Sequence, residues 1–97
     1  MTAPDQPADT FAEDVEDVLT EILGMLVRKN AAYGNSALDP VRVFSKASTV
    51  EQLLVRIDDK LSRLKRGTPD GEDIERDLLG YLVLLRVARK RAAEAGS

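Results

Sequence analysis

The sequence predicts an all-α fold: three long helices, one short helical turn between the first two, and assembly into an oligomer. Three observations carry that expectation. Apolar residues recur at three- and four-residue steps in three separate segments, the spacing that lines one face of a helix. Each segment is framed by residues that start or stop helices. No stretch alternates apolar and polar residues as a strand does, and there is no internal repeat or low-complexity segment.

Residues 1–9 carry two prolines and two aspartates with almost nothing to bury, so a disordered tail is expected there. The first helix is expected from about Phe11 to Ala32. Asp9 or Thr10 can cap it, because a side-chain oxygen there accepts from the free first-turn N–H groups. Glu13, Asp14, Glu16 and Asp17 then suit the positive end of the helix dipole. Phe11, Val15, Val18, Leu19, Ile22, Leu26 and Lys29 form one stripe. Gly34 and Asn35 tolerate left-handed backbone angles and stop the helix.

Asp39-Pro40 reads as an N-cap followed by proline at the first helical position, which predicts a short helical turn over Val41 to Ser45. Phe44 reads as a plug for the core, with base stacking as the alternative. The second helix opens on a capping box, Ser48 with Glu51 three residues on. Val50, Leu53, Leu54, Ile57, Leu61 and Leu64 make its buried stripe. Arg56, Lys60 and Arg63 share another face. Three cations on one face repel one another unless an anion sits among them. A merely solvated charged face is the other explanation.

Gly67 ends that helix, and Thr68 or Asp70 is the expected cap of the third, which runs from about Glu72 to Ala93. Its first turns are acidic. Asp73 and Asp77, four residues apart, could hold a hard cation such as Mg²⁺, which prefers carboxylate oxygens. Dipole complementarity explains Glu72 and Asp73 as well. Leu78 to Leu85 cover nearly the whole circumference, so this helix is expected to be buried on all sides. Two other helices cannot surround it, hence a homo-oligomer through the third helix. Residues 10–93 form the folded domain, and residues 94–97 are expected to fray.

Composition narrows the chemistry. The 97 residues predict one domain. The absence of Cys removes thiolate metal sites and disulfides, and the absence of His removes the commonest general base. A net charge of −3 argues against a general nucleic-acid binder. Residues 1–27 hold seven acids and no base, leaving ten acids against 14 bases in the rest. The basic remainder suits a phosphate-bearing ligand, while attraction between acidic and basic faces explains the asymmetry equally well. The chain has no basic segment leading into an apolar run, and its apolar stretches are short of a membrane span. A soluble cytoplasmic protein with no membrane partner is therefore expected.

The stretch Lys29-Asn30-x-x-Tyr33-Gly34-Asn35-Ser36, then Phe44 and Lys46, then Arg56-x-x-Asp59-Lys60-x-x-Arg63, joins a turn to a charged helix and suggests a site for a nucleotide. Together with Glu72-Asp73-x-x-x-Asp77-Leu78-x-x-Tyr81, it resembles the first phage nucleotide modification associated domain family over roughly residues 26–90. That family is in turn similar to all-α NTP pyrophosphohydrolases of the MazG and dimeric dUTPase type. The resemblance implies an oligomeric helical protein of a phage or of a phage-infected bacterium. It implies that Lys29, Tyr33, Gly34, Asn35, Ser36, Lys46 and Tyr81 belong to a nucleotide pocket and that Arg56, Lys60 and Arg63 meet phosphates. Asp59, Asp73 and Asp77 would be the carboxylates left for Mg²⁺. The hydrolases carry Glu-Glu-x-x-Glu on one helix and Glu-x-x-Asp on the next. Here Glu51, Asp58 and Asp59 form no such cluster, and Asp73 and Asp77 are spaced differently. Three functional readings follow: a nucleotide-binding hydrolase or accessory to nucleotide modification, a non-catalytic sequestering module of the counter-defence kind, and a structural oligomeric bundle.

Overall fold

Local rules place three helices along the chain: α1, Phe11–Ala32; α2, Thr49–Arg66; and α3, Ile74–Ala95. They come from a computed structural model that describes residues 9–40, 42, 44–67 and 73–96. The fold is all-α, with no strand among the described residues. The tail expected over residues 1–9 lies outside them up to residue 8.

The helix ends follow from side-chain and backbone chemistry. The Phe11 N–H donates to Asp9 Oδ1 at 3.0 Å, and the Thr10 hydroxyl donates to Asp14 Oδ2 at 3.0 Å. At the other end of α1 the Tyr33 N–H donates to the Lys29 carbonyl, and Gly34 and Asn35 follow at φ 62° and 64°. This is the left-handed conformation that only glycine adopts freely and asparagine tolerates. Ser48 caps α2 by accepting the Glu51 N–H at 3.1 Å, and Gly67 stops it at φ 75°. Asp73 caps α3 by accepting the Arg76 N–H at 3.0 Å. This corrects the expected cap. Thr68, Asp70 and Glu72 lie outside the described residues, and the helix begins one residue after Asp73 and runs on to Ala95 rather than Ala93.

The expected helical turn over Val41 to Ser45 does not form at its described positions. Arg42, Phe44 and Ser45 are not helical, and Val41 and Val43 lie outside the described residues. Backbone hydrogen bonding there is taken over by a side chain. The Arg42 guanidinium donates to the Pro40 carbonyl (3.4 Å), the Ala47 carbonyl (3.1 Å) and Thr49 Oγ1 (2.9 Å). Gln52 Nε2 adds a second bond to the Ala47 carbonyl at 3.0 Å. Phe44, expected as a core plug, is 98% exposed.

The main core lies between α2 and α3. Leu53 and Ile57 meet Leu85 and Ala88, with Leu38, Val50, Leu54, Leu78, Tyr81 and Leu84 around them. The backbone of α1 comes close to α3 and not to α2. Only its C-terminal half is seated: Ile22 and Met25 are buried, whereas Phe11, Val15, Val18 and Leu19 of the same stripe are exposed. The third helix is not buried all round either, since Leu79, Leu82 and Val83 remain exposed. Among the described residues no helix is long and apolar enough to cross a membrane.

Candidate functional site

The site forms where α1 crosses α3. A side chain at Gly80 would have to push aside the ends of two side chains at that crossing. A Cβ placed there would lie 2.8 Å from Met25 Cε and 3.3 Å from Leu26 Cδ2. The glycine therefore lets α1 sit against α3, a common reason for an isolated glycine within an apolar helix. Past the crossing α1 ends and the chain turns over 33–38, beside a cavity lined by residues of all three helices and of that turn.

That cavity has a volume of about 370 Å³. Met25, Leu26, Gly80 and Leu84 supply apolar lining, and Tyr33 and Tyr81 supply two aromatic rings. Lys29, Asn30, Ser36, Arg56 and Asp77 supply the polar groups. An apolar cleft with a few convergent polar groups is the usual form of a small-molecule site, and the volume falls in the usual range of about 300–1,000 Å³. Tyr33 and Arg56 are exposed and stand at its edge, while Tyr81 is half-buried and also packs against the core.

One carboxylate ties the three helices together beside this cavity. Asp77 Oδ1 accepts from Lys29 Nζ of α1 at 3.3 Å, and its Oδ2 accepts from Lys60 Nζ of α2 at 3.3 Å. Asp77 is 20% exposed and Lys60 only 12%, so the Lys60 pair is shielded from water and salt more than a surface pair would be. A single negative charge thus faces two ammonium groups, and Arg56 joins Lys29 as a second cation in the lining.

The residues expected at a site divide into two sets. Lys29, Tyr33, Ser36, Arg56, Asp77 and Tyr81 line one cavity. Lys60 reaches it through Asp77, and Gly34 and Asn35 shape the turn between Tyr33 and Ser36 without lining it. Arg63 and Lys46 do not line it. Arg63 Nε pairs with Asp59 Oδ2 on the outer face of α2 at 3.2 Å, and Lys46 is exposed in the connection before α2. The carboxylates expected at a metal each have a partner of their own. Asp59 belongs to that outer pair, Asp73 is the α3 cap, and Asp77 serves two lysines. Among the described residues no group of three acidic side chains is placed to share an ion. Sequence reasoning missed the apolar lining, Met25, Leu26 and Leu84, and missed Ala37; Asn30 belonged to the quoted stretch without a role of its own. Gly80 is the signal that could have found the crossing they surround.

Comparison with protein-family models finds no match, and neither curated proteins nor solved structures give a significant one.

Proposed function

We propose that this protein binds a nucleotide, or a similar small phosphorylated molecule with a flat ring, in the cavity at the α1–α3 crossing, and does not turn it over. The observation that carries the reading is convergence. Six residues spread from position 29 to position 81, on all three helices and one turn, line a single cavity. Their chemistry is divided as such a ligand requires. Tyr33 and Tyr81 offer faces for a ring, with stacking worth about 1–3 kcal/mol per base. Lys29 offers a point charge and Arg56 a planar fork to phosphate oxygens. Met25, Leu26 and Leu84 exclude water from the apolar side.

Binding without turnover is favoured by the engagement of the carboxylates. A metal-dependent hydrolase needs several oxygens at one ion, and here Asp59, Asp73 and Asp77 each serve a different partner. With no histidine in the chain, a general base would have to come from a carboxylate, a tyrosine or a lysine, and the one carboxylate lining the cavity, Asp77, is paired with two lysines. A sequestering or delivery role for the bound molecule follows.

The test is calorimetric titration with nucleoside mono-, di- and triphosphates, with and without Mg²⁺, followed by an assay of the same samples for released phosphate and pyrophosphate. Binding of at least one class with the ligand recovered intact is the expected result. Mg²⁺-dependent release of pyrophosphate would replace the reading with a pyrophosphohydrolase. No heat and no binding with any nucleotide would remove the nucleotide reading altogether.

A further inference from the structure

The apolar stripe of α1 is only half used. Ile22 and Met25 seat it on α3, but the same face continues towards the N-terminus as Phe11, Val15, Val18 and Leu19, with Phe11 72% and Leu19 58% exposed. These four recur at three- and four-residue steps, so they form a continuous strip about two turns long rather than scattered positions. Contiguous apolar surface of that kind marks an interaction site on a protein that is otherwise well solvated. Acids flank it: Asp14, Asp17 and Glu21, in a segment without a single base.

A second uncovered strip lies on α3, on the side turned away from its core. Leu79, Leu82 and Val83 are exposed there, and they continue at helical spacing into Arg86, Arg89 and Lys90. One strip is apolar with acidic flanks. The other is apolar with a basic end. Both are carried by every copy of the chain.

We propose that the occupant of the α1 strip is a second copy of this chain, whose α3 strip it covers, with the reciprocal contact made at the same time. Two complementary patches on one molecule permit a closed twofold dimer, in which each patch meets its counterpart once. Complementary charge at the flanks fixes the pairing of α1 with α3 and disfavours α1 against α1, where acids would face acids. The dimer covers two apolar strips that the single chain leaves in water. It also covers the N-terminal half of α1, where Phe11, Val15 and Leu19 are exposed while Met25 is buried.

Sedimentation velocity on the full chain tests this directly. The expected result is a species of twice the 10.6 kDa chain mass. Leu19→Glu places a charge in the strip without touching the core and should return the protein to the single-chain mass with its helical circular dichroism retained. Asp14→Lys and Arg86→Glu should each weaken the dimer by about two- to fivefold, the effect of one exposed ion pair, and the double exchange should recover part of the loss. A wild-type protein that sediments at the single-chain mass throughout the micromolar range overturns the proposal. So does a Leu19→Glu variant with an unchanged dimer. Neither outcome bears on nucleotide binding, which is read separately by titration.

Discussion

The α2–α3 pair and α1 are held in different ways, and the difference locates the site. Between α2 and α3 the contact is a packed core, with Leu53 only 1% exposed and helix caps at Ser48 and Asp73. Between α1 and α3 the contact among the described residues is a crossing at Gly80, the buried Ile22 and Met25, and the ion pairs Lys29–Asp77 and Glu21–Arg76. The first arrangement supplies stability. The second leaves an open wedge beside the crossing, and that wedge is the cavity. A cavity at the boundary between a firmly packed pair and a lightly seated helix can be filled without cost to the core.

The largest effect that would test this contrast is at Leu53. Leu53→Ala removes the most buried side chain of the α2–α3 core and should destabilise by about 2–5 kcal/mol, as buried leucine truncations do. Urea denaturation followed by circular dichroism measures it. A loss under about 1 kcal/mol would mean that the core lies elsewhere and that the two regions are not so unequal.

Next comes Asp77→Asn, which cuts the link to α1 and α2 together. Lys60 would lose its ion pair with Asp77 in a shielded place, so a stability loss of about 1–2 kcal/mol is expected, between the values for surface and buried pairs. The same change removes the negative charge from the cavity lining. Affinity for a phosphate-bearing ligand should therefore rise or stay level, and it should not acquire a dependence on Mg²⁺. A Mg²⁺-dependent binding that the substitution abolishes would restore Asp77 as a metal ligand.

Both regions were legible in the sequence to different depths, for reasons these residues make plain. Helix bounds were read closely where one residue type had one role: Ser48 with Glu51, and Gly34 with Asn35. The α3 start was misplaced because Thr68, Asp70 and Asp73 are all competent caps, and only the fold selects among them. Phe44 has no periodic neighbours, so no face could be assigned to it, and the hydrogen bonds of Arg42 leave it in water. Within the site, Arg56, Lys60 and Arg63 do share a helix face. Yet Arg56 and Arg63 are seven residues apart, roughly 10 Å along the axis, and one small cavity does not span that length. Spacing gives the face of a helix and not how far along it a partner reaches. For the same reason the half-seated stripe of α1 could not be foreseen from its regular period.

Tyr33→Ala should separate the two regions in another way. Tyr33 is exposed at the mouth of the cavity and lies outside both apolar contacts, so the melting temperature should hardly move. Ligand affinity should fall by about tenfold, the equivalent of about 1.4 kcal/mol, from loss of one stacking face. Parallel losses in melting temperature and affinity would make Tyr33 part of the packing rather than of the site.

The smallest effect is expected at Glu21, and it sharpens the contrast by comparing the two ion pairs that join α1 to α3. Arg76 Nη1 meets Glu21 Oε1 at 3.3 Å, the same separation as Lys29 to Asp77. Distance alone would rank the two as equals. Exposure does not: Glu21 is 55% exposed against 20% for Asp77, and an exposed pair gains little because water and salt screen it and two long side chains must be held still. Glu21→Gln should therefore change stability by no more than about 0.5 kcal/mol, and the change should vanish in high salt, whereas most of the Asp77→Asn loss should persist there. Denaturation of both variants at low and high ionic strength makes the comparison. If Glu21→Gln cost as much as Asp77→Asn at either salt concentration, α1 would be anchored along its length rather than at the crossing. The uncovered strip from Phe11 to Leu19 would then belong to a helix already fixed in place, and dimer formation would be needed only to cover it.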